Sequence, residues 1–97
     1  MASRRTDDII EKGLGSKVQR RILRFLASTP ERGYTRYQIM KQTYLGYPEC
    51  TKALKALSEL GWLRRHEGKN TTYQINEANT TVAALLEFYK KIGYLTS

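Results

Sequence analysis

Cysteine is almost missing from this chain. Cys50 stands alone among 97 residues, which excludes an intramolecular disulfide. Histidine is as scarce, with His66 the one imidazole. A single Cys and a single His, far apart in the chain, do not supply the three or four ligands that hold a zinc ion. No apolar run reaches the length needed to span a bilayer as a helix, and no signal-peptide pattern opens the chain. There is no Ser/His/acid set, no phosphate-binding loop and no paired-carboxylate constellation. The expectation is therefore a cytoplasmic protein that is not an enzyme and carries neither cofactor nor metal. Acidic residues are also in deficit, 9 against 17 Lys and Arg, for a net charge of +8.

What remains is a chain of the size of one domain, with 40% hydrophobic residues and both charge signs, which is the composition of a folded globule. The charge is unevenly spread. Residues 1–69 hold 15 Lys and Arg against 7 Asp and Glu, whereas residues 70–97 hold 2 against 2. The whole excess of +8 thus lies in the first two thirds, and a polyanion is the natural partner.

The chain divides by local signals. Residues 1–5 form a basic arm, with Arg4 and Arg5 suited to a minor groove or simply to solvent. Residues 6–15 read as a short helix capped by Thr6, bearing Ile9 and Ile10, and broken by Gly13 and Gly15. Ser16 caps a helix over 17–28, with Val18, Ile22, Phe25 and Leu26 inward, Leu23 at the edge, and Lys17, Arg20, Arg21 and Arg24 outward. Thr29-Pro30 ends it, because the residue before proline disfavours the helical region. Tyr34 is placed to add one strand pairing to a later hairpin.

Residues 35–61 carry the pattern around which the rest is arranged. Thr35 is an N-cap for a short helix over 36–43, with Ile39 and Met40 inward. A turn over 44–48 follows, in which Gly46 offers the positive φ such turns use. Pro48 suits the first turn of a helix running to Leu60, whose apolar stripe is Cys50, Ala53, Leu54, Leu57 and Leu60. Cys50 on that stripe is a small core residue. Gly61 is the expected residue just past the helix end. The opposite face shows Pro48, Thr51, Lys52, Lys55 and Glu59.

Residues 62–76 read as a β-hairpin turning at Glu67-Gly68-Lys69-Asn70. Two registers are open. An even loop pairs Trp62 with Ile75 and Arg64 with Tyr73; an odd loop pairs Leu63 with Ile75 and Arg65 with Tyr73. A one-residue slip exchanges the two faces. Asn79 caps a last helix over 80–92, with Val82, Leu85, Leu86, Tyr89 and Ile92 in a stripe, Phe88 beside it, and Gly93 at its end. That stripe can fold back onto 17–28 or, with Ile9, Ile10 and Leu14, pair with a second copy; the second arrangement is the expectation. Residues 79–95 are thus a C-terminal segment suited to dimerisation.

The order helix, helix, turn, helix, basic hairpin, helix resembles the winged helix-turn-helix DNA-binding proteins, in particular small prokaryotic and archaeal regulators of the MarR, ArsR and PadR type. The resemblance is carried by GSKVQRRILRFLAS, YTRYQIMKQTYLGYPECTKALKALSELGWL and RRHEGKNTTYQIN and covers roughly residues 13–76, with the winged-helix core over 16–76. It implies an α+β fold, mainly α with a small β-hairpin and an extra C-terminal helix. It also implies a dimeric, nucleoid-associated transcriptional regulator of double-stranded DNA. Helix 48–60 would enter the major groove with Tyr47, Thr51, Lys52 and Lys55. Arg36 and Tyr37 would clamp a phosphate, with Thr35 beside them among the DNA-binding residues, and residues 64–72, with Arg64, Arg65, Lys69 and Asn70, would form the wing. One departure matters. Helix 48–60 contains neither arginine nor glutamine, and arginine to guanine is the commonest specific base contact. A DNA-coating architectural or partition protein is therefore one alternative. A protein-interaction winged helix is another, and RNA stacking on Tyr34, Tyr37, Tyr44 and Tyr47 is a third. Metal sensing of the ArsR kind finds no ligand cluster here.

Overall fold

A computed structural model describes residues 12–93. The basic arm with Arg4 and Arg5, the Thr6-capped helix with Ile9 and Ile10, and the trailing Tyr94-Leu95 lie outside the described residues. A helical turn at 12–14 leads in, followed by α1 (Lys17–Ala27), β1 (Tyr34–Thr35), α2 (Arg36–Thr43), α3 (Tyr47–Glu59), β2 (Leu63–His66), β3 (Thr72–Ile75) and α4 (Thr80–Lys91).

Each helix starts where the capping chemistry places it. Ser16 Oγ accepts from the Gln19 amide at the head of α1. Thr35 and Gln38 form a reciprocal capping box on α2. Asn79 Oδ1 accepts from the amides of Thr81 and Val82 at the head of α4. Helix α3 begins at Tyr47, one residue before the expected Pro48, with Gly46 as a cap lacking any side-chain bond. Its far end closes on Gly61 at φ +78°, with the Gly61 amide donating to the Ser58 carbonyl and the Trp62 amide to that of Leu57. Those two bonds are the Schellman arrangement, which satisfies carbonyls that the helix leaves open.

The three strands run antiparallel in the order β1-β3-β2. Tyr34 pairs with Tyr73, as the single pairing expected of it. Of the two hairpin registers the odd one holds, with Leu63 opposite Ile75 and Arg65 opposite Tyr73. Leu63 and Ile75 are both buried, so this register drives the apolar pair into the core. Asn76 fastens the base of the hairpin. Its amide donates to the Trp62 carbonyl, its Nδ2 to the Gly61 carbonyl, and its Oδ1 accepts from Arg64 Nε, all at 2.9 Å.

The core joins Ile22, Leu23 and Leu26 of α1, Ile39 of α2, Cys50, Leu54 and Leu57 of α3, Trp62, Ile75, and Val82, Leu86 and Tyr89 of α4. Four expectations are corrected here. Leu23 lies fully inside, while Val18 and Phe25 are only partly buried, so the inward face of α1 is rotated toward Leu23. Gly13 sits within the helical turn and does not break it; a Cβ there would overlap the ring of Trp62, so its value is close approach. The positive φ in the turn after α2 belongs to Tyr44 (φ 58°), not to Gly46, whose φ is −74°. Finally, Val82, Leu86 and Tyr89 are buried within the protomer, which removes them from any exposed pairing face. Leu85 is partly buried, and Phe88 of α4 and Ile92 at its C-cap are the large apolar residues left in solvent there.

Candidate nucleic-acid interface

Helices α2 and α3 are joined by a short turn that bends at Tyr44 in the left-handed region and anchors through the buried Leu45. Arg21 of α1 donates to the Thr43 carbonyl at 3.2 Å, placing a cation at the negative end of α2. The Arg36 guanidinium at the head of α2 stands 4.3 Å from the centroid of the Tyr47 ring at the head of α3. Such a cation–π contact at an exposed site contributes about 0.5–1 kcal/mol. It keeps a positive charge against the first turn of α3.

The hairpin closes the other side. A groove of about 630 Å³ runs between the two helix N-termini and the hairpin, lined by Thr35, Arg36, Tyr37, Met40, Tyr47, Arg65, Lys69, Asn70, Thr71 and Tyr73. Arg36, Arg65 and Lys69 give it three positive charges and no acid. The Arg65 side chain also meets Glu67 at 3.3 Å, but both are largely exposed. A pair of that kind is worth ~0–1 kcal/mol, and an incoming anion can displace it. The neighbouring Tyr37 and Tyr47 are 66% and 54% exposed, so two aromatic faces stand beside these cations in solvent.

Seven of the residues singled out from the sequence meet in this groove: Thr35, Arg36, Tyr37, Tyr47, Arg65, Lys69 and Asn70. Lys52 and Lys55 do not. They share the exposed strip of α3 with Pro48 and Glu59, facing straight out from the core. Thr51 is half-buried, and its Oγ1 is enclosed with no hydrogen-bond partner, so its hydroxyl is not offered to solvent. Arg64 lies on the opposite face of the hairpin from Arg65, where it donates to Asn76. Met40, Thr71 and Tyr73 also line the groove, with no charge or motif to single them out. The signal for Tyr73 is the odd register, which puts it on the same hairpin face as Arg65.

Tyr34 is buried, its ring 4.7 Å from that of Phe25 and its hydroxyl 2.7 Å from Thr29 Oγ1, which leaves no face for base stacking. Cys50 is fully buried under the N-terminal half of α3. Burial pushes its thiol above the ordinary 9.0, and nearby Arg36 offsets this in part. Among the described residues no three His, Cys, Asp or Glu side chains gather as a metal site, and no helix is long and apolar enough to cross a membrane.

Three helices, a turn, a strand-paired hairpin with a basic tip and a closing helix define the winged helix-turn-helix fold, and the groove lies where its second and third helices meet the wing. No family model matches the chain, and no curated protein matches its sequence. Solved structures do. The transcriptional repressor BigR from Xylella fastidiosa superposes with a TM-score of 0.73 at 21% identity, over 91% of this chain and 86% of that one. A possible transcriptional regulator from Methanosarcina mazei gives 0.66 at 16% identity, over 91% and 82%. The homodimeric winged helix-turn-helix DNA-binding domain of Mb0332 from Mycobacterium bovis, a possible ArsR-family regulator, gives 0.63 at 21%, over 95% and 87%. At such identities the likeness establishes the fold.

Proposed function

We infer that the chain binds double-stranded DNA and acts as a transcriptional regulator, with α3 in the major groove and residues 64–72 as a wing against the backbone or minor groove. The observation that carries this reading is the groove itself. Arg36 at the head of α2, Tyr47 at the head of α3 and Arg65 and Lys69 of the hairpin converge on one acid-free surface. A helix of α3's diameter fits the major groove. Lys52 and Lys55 on its exposed strip reach base edges or phosphates, while the flanking cations fix the register on the backbone. The solved neighbours, a repressor and a homodimeric DNA-binding domain among them, support the same role.

The working unit is a homodimer. Phe88 on α4 and Ile92 at its C-cap, 56% and 54% exposed, with the edge of Leu85, supply the apolar face for a second copy. Two α3 helices related by a dyad would read half-sites about one helical turn apart. Selection from a random duplex pool tests this. Enrichment of a palindrome with that spacing is the expected result. Salt-sensitive binding with no enriched motif would favour the DNA-coating reading, which the lack of arginine and glutamine on α3 supports. Absence of duplex binding would overturn both.

A further inference from the structure

We propose that Arg36, lying over the ring of Tyr47, reads a guanine in the major groove and supplies the base contact for which α3 has no arginine of its own. This rests on the DNA-binding reading above and deepens it, by assigning sequence preference to a side chain outside α3.

Helix α3 holds neither arginine nor glutamine. Its outward cations are Lys52 and Lys55, both exposed, and a lysine head is a compact charge on a flexible stem. A guanine edge offers two acceptors side by side, N7 and O6, and a planar guanidinium meets both at once. Arg36 brings a guanidinium to the head of α3. Its Cζ lies 4.3 Å from the centroid of the Tyr47 ring, and its charge is felt at the Cys50 thiol in the first turn of that helix. The contact with the ring consumes no hydrogen-bond donor. Among the described residues Arg36 has no side-chain hydrogen bond or ion pair, and no acid lines the groove it shares with Tyr47. The side chain is half-buried, so it is held in place with its donors unspent.

The position of Tyr47 aims this group at the bases. Tyr47 is the first residue of α3, and in helix-turn-helix docking the N-terminal residues of the recognition helix contact base edges. At roughly 100° per residue, Tyr47, Thr51 and Lys55 step around α3 by about 40° each. Tyr47 therefore borders the outward strip of Pro48, Lys52 and Lys55 on the side of the wing, whose Arg65 and Lys69 line the same groove. Arg65 and Lys69, exposed on the hairpin, take phosphates. Arg36, against the head of α3, takes the base, and Tyr47 is its positioning residue.

The test uses the full chain and the duplex it selects from a random pool, with circular dichroism verifying that each variant is folded. In Arg36→Ala the ratio of affinities for the selected and an unrelated duplex should fall by about 5- to 150-fold per half-site, the range of one bidentate arginine–guanine pair. The lost preference should map to one guanine. Replacing that guanine by 7-deazaguanine, which lacks the N7 acceptor, should weaken the wild type and leave Arg36→Ala unaffected. Arg36→Lys should keep the salt dependence but not the preference. Tyr47→Ala should lose the preference at the same base pair, and Tyr47→Phe, which keeps the ring, should retain it. If Arg36→Ala instead weakens all duplexes alike, with the motif intact and the log–log salt slope shallower by about 0.9, Arg36 holds a phosphate and the proposal is overturned. Wild-type binding that enriches no guanine would also overturn it, leaving the DNA-binding reading in place. A wild-type chain that leaves every duplex unbound would overturn both.

Discussion

Gly13 lies against the ring of Trp62, and the absence of a Cβ is what permits it. The contact joins the lead-in turn to the joint between α3 and the hairpin. Gly13→Ala must push the indole or the backbone aside, and overpacking of this kind costs about 1–3 kcal/mol. Urea denaturation should show that loss; a midpoint equal to wild type would mean the lead-in turn does not hold Trp62. Cys50 links burial to pH. Its thiol is raised by burial, so the folded chain keeps it protonated at a pH where the unfolded chain ionises it. The folded state then binds the extra proton, and the stability from this group is present below about pH 9 and declines as pH rises beyond that. Thiol alkylation at pH 9 should accordingly be slow in the native protein and fast in urea. Rapid native alkylation would show that α3 opens readily.

Among the elements, α2 is the shortest helix and depends most on its ends. Thr35 and Gln38 cap one end reciprocally, with bonds of 3.0 and 3.2 Å, and Arg21 serves the carbonyl at the other. Thr35→Ala should cost about 1 kcal/mol, read as a lower thermal midpoint. A neutral result would place the stability of α2 wholly in Ile39 and its neighbours. This cap was legible in the sequence because it is local chemistry, as were Ser16, Asn79 and the Gly61 stop. The left-handed Tyr44 was not, because a non-glycine residue gives no sign of positive φ, whereas Gly46 next to it invites that reading. The hairpin register also escaped. Both registers bury one apolar pair, and only the odd loop over 67–71 decides between them. That choice is what turns Arg65, and not Arg64, toward the groove.

At the scale of the molecule, the sequence showed that α4 bears an apolar stripe but not what covers it, since periodicity names a face and never its partner. Val82, Leu86 and Tyr89 complete the protomer's own core, leaving Phe88 and Ile92 outside. Phe88→Asp should therefore convert a dimer to a folded monomer in sedimentation equilibrium, with its helical content unchanged. A dimer that survives this change would place the interface elsewhere. The seven groove residues were legible as types of side chain. Their convergence was not, because it depends on three segments meeting across the fold.

On the proposed function, the groove and the exposed strip of α3 hold a duplex by its phosphates. The most direct measurement is the affinity of the full chain for duplex DNA across a range from about 50 to 200 mM salt. With about six phosphates neutralised per protomer, log affinity should fall against log salt with a slope of roughly −5 per protomer. Undetectable binding, or an affinity indifferent to salt, would contradict it.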